Sequence, residues 1–151
     1  MMDTTVERTS ERELSITRNF HGPARIVWEA WTNPALFARW WLPKSFGITM
    51  VSCDMDVRVG GNYKLVLKHG DSEPAAFFGK YVEVAPAARL VWTNEEDPNA
   101  AVTTVTFEDH GDTTKVVMRD LYPSKEALDE AAAQFDCMRE TFDQLAGVLA
   151  S

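Results

Sequence analysis

The sequence predicts an α+β domain in which a curved antiparallel sheet of about seven strands wraps around one long C-terminal helix. Apolar and polar residues alternate, with the period of a strand, once before residue 22 and six times between residues 50 and 121. From residue 124 onward, apolar residues recur three and four positions apart, which is the period of a helix. Two short helical patterns follow the first strand, so the predicted element order is β-α-α-β-β-β-β-β-β-α.

The first twelve residues, MMDTTVERTSER, show no periodicity, and we expect residues 1–12 to form a disordered tail. Residues 13–151 contain no internal repeat or low-complexity tract, and their number suits a single domain of ordinary size. The first strand begins near Leu14, because Leu14, Ile16 and Phe20 fall on one face of the segment LSITRNF.

Two short helices are predicted after this strand. Pro23 suits the first turn of a helix, where its missing N–H is harmless, and a stripe of residues follows at helical spacing: Ala24, Val27, Trp28 and Trp31. Asn33-Pro34 is a helix-start pair for the second helix. Trp40 and Trp41 are adjacent on that helix and point about 100° apart. They cannot face the same way, and the sequence leaves open which of them belongs to the core.

The six later strands differ in how clearly they define an inward face. The first of them predicts an apolar face made of Val51, Cys53, Met55 and Val57. In the next strand Tyr63 alternates with Leu65 and Leu67, so its ring is expected to point inward. The segment AFFGKYVEV carries large residues at both parities, and its inward face stays open. At the end of the last strand, alternation does not decide whether Arg119 or Asp120 faces inward.

The C-terminal helix is predicted to begin at Pro123-Ser124 and to continue for about six turns. Its apolar stripe consists of Leu128, Ala131, Phe135, Met138, Phe142, Leu145 and Leu149. The concave face of the sheet is the only predicted surface large enough to bury this stripe.

Composition excludes several classes of function. The net charge is −8 and the basic residues are scattered singly, which argues against nucleic-acid binding. No apolar run is long enough for a membrane span, and the N-terminus lacks the apolar region of a secretory signal. The two cysteines, Cys53 and Cys137, show neither zinc-site nor redox spacing. We therefore expect a cytoplasmic protein with reduced thiols.

Four segments of the chain resemble the SRPBCC superfamily, whose members are also called START-like or helix-grip proteins. They are FHGPARIVWEAWTNPALFARWW, CDMDVRVGGNYKLVL, FFGKYVEVAPAARLVWT and TTVTFEDHGDTTKVVM. Within the superfamily the sequence is most similar to the branch named after the C-terminal domain of the Hsp90 ATPase activator. The resemblance extends from about Leu14 to Leu149.

The resemblance implies a helix-grip fold with a hydrophobic cavity between the sheet and the C-terminal helix. Members of the superfamily bind lipids, hormones, polyketides or other apolar molecules there, and some are cyclases or aromatases. The candidate ligand-binding residues are those expected to line such a cavity: Trp31, Trp40, Trp41, Tyr63, Leu65, Phe78, Trp92, Met118, Phe135, Met138 and Phe142.

The sequence contains few residues in a pattern typical of catalysis, cofactor binding or metal binding. His21, His69 and His110 each lie beside a glycine at a turn, and no phosphate-binding, dinucleotide or zinc-protease motif occurs. Asp54 and Asp56 are spaced like the paired carboxylates of a hydrolase, but they lie on the polar face of their strand. We therefore predict no catalytic residue, no metal and no cofactor.

Three functions remain, in order of preference. The first is a non-catalytic domain that binds a small apolar molecule. The second is a domain that binds a chaperone or another protein, which an exposed apolar patch around Trp40, Trp41 and Leu42 would favour. The third is a cyclase-, aromatase- or hydrolase-like enzyme, which a buried acid or base in the cavity would favour. A homodimer is an open alternative for the assembly, and the ligand's identity cannot be read from the sequence.

Overall fold

The computed structural model describes residues 4–132 and 137–150. Within these ranges the chain forms strands, helices and one 3-10 turn at Lys44–Phe46. Strands β1 to β8 span Thr5–Arg8, Glu13–His21, Ile48–Met55, Asn62–His69, Ala75–Ala85, Arg89–Trp92, Val102–Asp109 and Thr113–Leu121. Helices α1 to α4 span Ala24–Thr32, Pro34–Trp40, Lys125–Ala132 and Cys137–Ala150.

The strands form one antiparallel sheet in the order β1-β2-β8-β7-β6-β5-β4-β3. The predicted fold class is confirmed, but the described residues form eight strands and not seven. The additional strand, β1, lies within residues 1–12, where the sequence predicts a tail. It pairs with β2 through backbone hydrogen bonds, which need no alternation of side chains. The Arg8 side chain also forms a 2.7 Å ion pair with Asp129 of α3.

Two β-bulges interrupt strands β3 and β5. Between Met50 and Ser52, β3 advances two residues while β4 advances one, and β5 does the same against β6 at Val82. The extra residues, Val51 and Val82, are 55% and 53% exposed. The predicted inward position of Val51 is therefore wrong, because strict alternation does not hold across a bulge. Met50 packs against the core in its place.

Helices α1 and α2 contact both the sheet and α4. The helix α1 begins directly after Pro23 and buries the side chain of Trp31. The side chain of Asn33 caps α2, because its Oδ1 accepts a 3.0 Å hydrogen bond from the N–H of Ala35. Pro34 occupies the first position of α2, as the sequence predicts.

The segment predicted as one long C-terminal helix is helical over α3 and α4, and residues 133–136 lie outside the described part. The helix α4 packs on α2, β2 and α1 and directs Phe142 and Leu145 into the main core. The helix α3 closes a smaller cluster through Leu128, which packs with Leu14 and Tyr122. No helix in the described ranges is long and apolar enough to cross a membrane.

Residues on the concave face of the sheet form rows that cross neighbouring strands. One row is entirely apolar and consists of Leu90, Val105, Met118 and Ile16. The next row along the strands consists of Tyr81, Trp92, Thr103, Asp120 and Leu14. The second row therefore places two hydroxyl groups, those of Tyr81 and Thr103, and the carboxyl group of Asp120 on the face that otherwise forms the core.

Candidate ligand-binding site

An apolar cavity of about 170 Å³, which we call the inner chamber, lies beside the concave face of β4, β5 and β6. Its aromatic wall consists of Trp31, Phe37, Trp41, Phe77 and Trp92, and its aliphatic wall of Met55, Leu65 and Leu67. Tyr63, Tyr81 and Asn94 complete the described lining and add polar groups. A chamber of this composition suits an apolar or aromatic group.

The two adjacent tryptophans near the end of α2 have different environments. Trp40 is fully buried, and its Nε1 donates a 2.9 Å hydrogen bond to the carbonyl of Ala30, which ties α2 to α1. Trp41 is half-buried and stacks on Phe37, with ring centroids 4.8 Å apart. Trp40 is therefore the core residue, and Trp41 is the one that forms part of the chamber wall.

A larger and more open space of about 850 Å³, which we call the outer pocket, adjoins the inner chamber. The two spaces share Trp41, Phe77, Trp92 and Asn94, so these four residues lie at their junction. The outer pocket is bounded by the β6–β7 loop, by parts of β7 and β8, by α3 and by the start of α4. It combines apolar surface with several carboxyl groups.

A chain of hydrogen bonds runs from the inner chamber into the outer pocket. The Tyr63 hydroxyl lies 2.7 Å from the Thr93 carbonyl oxygen and 2.9 Å from Asn94 Oδ1, and its single proton is shared between these two acceptors. Asn94 Nδ2 in turn donates to Thr103 Oγ1 at 3.2 Å. Thr103 Oγ1 donates to Asp120 Oδ1 at 2.6 Å. All donors of the chain point the same way, and the chain ends on the carboxyl group of Asp120.

Gly79 makes room for the start of this chain. It lies opposite Tyr63 in the β4–β5 register. A Cβ atom at position 79 would lie only 2.0 Å from the carbonyl oxygen of Thr93, the same oxygen that accepts the Tyr63 hydrogen bond. The close approach of the two backbones therefore requires glycine here.

Asp120 is 9% exposed and lines the outer pocket. Burial raises its pKa from 3.8 to about 6, and the hydrogen bond from Thr103 opposes this shift without cancelling it. Among the described residues its Oδ2 has no hydrogen-bond partner. The carboxyl group can therefore accept a hydrogen bond from a bound molecule or exchange a proton near neutral pH.

The candidate residues predicted from the sequence did not include Asp120. Its place in the row with Thr103 and Trp92 answers the question left open at the end of the last strand, because it puts Asp120 on the concave face. Alternation along β8 places Asp120 on the same face as the apolar Met118, and this pattern is visible in the sequence. The apolar Val117, at the other parity, obscured it.

Most of the predicted ligand-binding residues line one or both spaces. Five of them line the inner chamber: Trp31, Trp41, Tyr63, Leu65 and Trp92. Met118 and Met138 line the outer pocket. Trp40 and Phe142 are fully buried and belong to neither described lining, and Phe142 packs against the rings of Phe20 and Trp31. Phe135 lies outside the described residues.

Phe78 is predicted to line the cavity, and the structure corrects this. It lies opposite Lys64 on the convex face of the sheet and is 41% exposed. Its neighbour Phe77 lies opposite Leu65 and lines both spaces. Alternation could not choose between the two phenylalanines, because this strand carries large residues at both parities.

Asp54, Asp56 and Cys53 lie away from these spaces, whereas Cys137 lines the outer pocket. Asp54 is exposed, and Asp56 forms a 2.8 Å ion pair with Arg58. Burial raises the pKa of the Cys53 thiol to about 11, with a smaller contribution from the charge of Asp54, so the reactive thiolate is scarce at neutral pH. Among the described residues, no three His, Cys, Asp or Glu side chains are grouped so as to hold a metal ion.

The comparison with protein families agrees with this geometry. The model of the family described as "Activator of Hsp90 ATPase homolog 1-like protein" matches residues 21–150. The chain belongs to this family. The match covers α1, α2, seven of the eight described strands in whole or in part, and both C-terminal helices. No curated protein sequence matches the chain.

Solved structures share the fold of this family member at low sequence identity. A crystal structure of a protein from Rhodobacter sphaeroides has a TM-score of 0.88 at 23% identity, over 98% of each chain. One from Nitrosomonas europaea has a TM-score of 0.86 at 21% identity, over 95% of this chain and 97% of that one. A solution structure of an AHSA1-like protein from Aeromonas hydrophila has a TM-score of 0.71 at 21% identity, over 91% and 92% of the chains.

Proposed function

We propose that this chain is a non-catalytic binding domain, and that a small, largely apolar molecule occupies the inner chamber. The observation that carries the proposal is the chamber itself, a space of about 170 Å³ with an aromatic wall. The chamber adjoins the outer pocket at the four residues that line both spaces. Protein interiors are normally packed without voids of this size. A ligand that fills the chamber would restore the missing contacts.

The apolar surface that a simple probe can bury in the inner chamber determines its expected affinity. A phenylalkyl group that buries about 250 Å² of apolar surface gains roughly 6 kcal/mol. This corresponds to a Kd on the order of 0.1 mM once part of the gain is lost to immobilising the probe. The natural ligand should bind more tightly, since it also meets the polar groups at the junction of the two spaces.

Titration with 4-phenyl-1-butanol tests this proposal. Trp41 and Trp92 lie in the wall, so binding should change the tryptophan fluorescence and raise the melting temperature. Leu67→Trp fills the chamber and should abolish both effects. Val51→Trp adds the same bulk at an exposed bulge and is the matched control, which should bind like the wild type. Equal binding by both variants, or no binding by the wild type, would contradict a ligand in the chamber.

Contact with a chaperone or another protein is the second candidate, and family membership is what favours it. The apolar patch required for it is not formed by the two tryptophans, because Trp40 is fully buried and Trp41 is half-buried. A homodimer and a cytoplasmic location remain predictions. Light scattering on the purified protein tests the first of these.

An enzyme is the third candidate, and Asp120 is the observation that favours it. A buried carboxyl group with a pKa of about 6 has the properties of a general acid or base. The described lining contains no histidine, and its other carboxyl group with a raised pKa, Glu96, lies in the β6–β7 loop. Binding therefore explains the site with fewer assumptions than turnover does.

A further inference from the structure

We propose that the ligand of this site is an amine, whose protonated nitrogen binds Asp120 in the outer pocket while its apolar part fills the inner chamber. The proposal rests on the proposed function and adds the chemical class of the ligand. Three observations support it: the sign of the charged residues that line the outer pocket, the hydrogen-bond partners of Asp120, and the distance between Asp120 and the inner chamber.

The charged residues of the site all have the same sign. The described charged residues that line the outer pocket are Glu96, Asp97, Asp120 and Glu130, and the inner chamber has none. No described Lys, Arg or His lines either space. A cation is therefore favoured throughout the pocket, and an anion is disfavoured.

Asp120 is held ready to accept a hydrogen bond. Thr103 fixes the carboxyl group through Oδ1, and Oδ2 has no hydrogen-bond partner among the described residues. Arg119, its basic neighbour in the sequence, is at the opposite parity of β8 and is not among the described lining residues. A buried carboxylate without a counter-ion is costly, and a ligand ammonium group would supply the missing charge.

The spacing between the two spaces suits an amine with a short chain. Trp92 and Asp120 lie two strands apart in one row of the concave face, which corresponds to about 10 Å. A phenyl ring near Trp92 and a nitrogen near Asp120 are bridged by about four methylene groups at this distance.

The test compares three probes with the same phenylbutyl group: 4-phenylbutylamine, 4-phenyl-1-butanol and 4-phenylbutyrate. Calorimetric titration at pH 7.5 should give an affinity for the amine at least tenfold higher than for the alcohol, which is the usual gain from a hydrogen bond to a buried charge. The carboxylate probe should bind more weakly than the alcohol. Asp120→Asn should reduce the ratio of amine to alcohol affinity at least about fivefold, and Glu96, Asp97 and Glu130 should maintain only a weak preference for the amine.

Asp54→Asn is the matched control, because it removes the same charge from an exposed position outside both spaces. It should keep the preference for the amine. Equal affinities of the wild type for amine and alcohol, or a preference for the amine that Asp120→Asn does not reduce, would overturn the amine proposal while leaving the proposed function intact. If none of the probes binds, both proposals fail.

Discussion

Asp120→Asn is expected to make the protein more stable than the wild type at pH 8 and to change its stability little at pH 4. Burial raises the pKa of Asp120 from 3.8 to about 6 in the folded state, so folding opposes ionisation of this group. As the pH rises from 4 to 6, the unfolded chain loses this proton first, and the folded state becomes less stable. Above pH 6 both states are ionised, and the loss stays constant.

The size of the effect follows from the two pKa values. A shift of about 2 units corresponds to about 3 kcal/mol at full ionisation. Linkage distributes this cost over pH, with about 0.5 kcal/mol at pH 4 and about 3 kcal/mol at pH 8. Asparagine is isosteric, remains neutral and can still accept the hydrogen bond from Thr103 through its Oδ1. The variant should therefore escape most of this cost.

Urea denaturation monitored by tryptophan fluorescence at several pH values between 4 and 8 measures the effect. The free energy of unfolding of Asp120→Asn, minus that of the wild type, should grow with pH and level off above pH 7. Asp54→Asn controls for net charge, and its difference should stay within about 0.5 kcal/mol. A variant at position 120 that is less stable than the wild type at pH 8, or a difference that does not depend on pH, would refute the reasoning.

Three further predictions concern the positions of individual residues in the fold and are tested by the same denaturation assay. Gly79→Ala should cost at least about 2 kcal/mol, because its Cβ would meet a backbone carbonyl oxygen at 2.0 Å. The Cβ atom added by Gly147→Ala would lie in open space on α4, so the free energy of unfolding should rise by up to about 1 kcal/mol. Equal effects of the two substitutions would contradict the close approach at position 79. Trp40→Ala should cost about 3–5 kcal/mol and Trp41→Ala less than half as much; the reverse order would exchange their roles. Tyr63→Phe should cost about 1–2 kcal/mol, since two acceptors lose their donor, and a neutral result would contradict the hydrogen-bond chain.

The parts of the fold that follow local rules could be predicted from the sequence. Asn33-Pro34 starts a helix through a side-chain hydrogen bond within two residues, and helical spacing identifies the buried side of α1. The inward direction of Tyr63 follows from alternation along an uninterrupted strand. In each case the residues that determine the structure are neighbours in the chain.

The remaining features depend on partners far away in the chain. β1 exists because β2 offers it a free edge, and no pattern within residues 5–8 reveals this. The bulge at Val51 is a mismatch between two strands, so alternation along one strand cannot show it. Alternation could not choose between Phe77 and Phe78, because β5 carries large residues at both parities, and it left Asp120 unassigned until the cross-strand register was known.

The chemistry at position 120 separates what the fold requires from what a ligand would require. The fold needs an acceptor for the Thr103 hydroxyl, and a neutral amide provides one. A negative charge there adds only the cost of burial at neutral pH, in a pocket that already carries Glu96, Asp97 and Glu130. Folding alone would therefore favour asparagine, and proteins accept such local costs chiefly where function depends on them. A ligand that brings a positive charge removes the cost on binding, so the residue that weakens the empty protein is the one that most strengthens its complex with an amine.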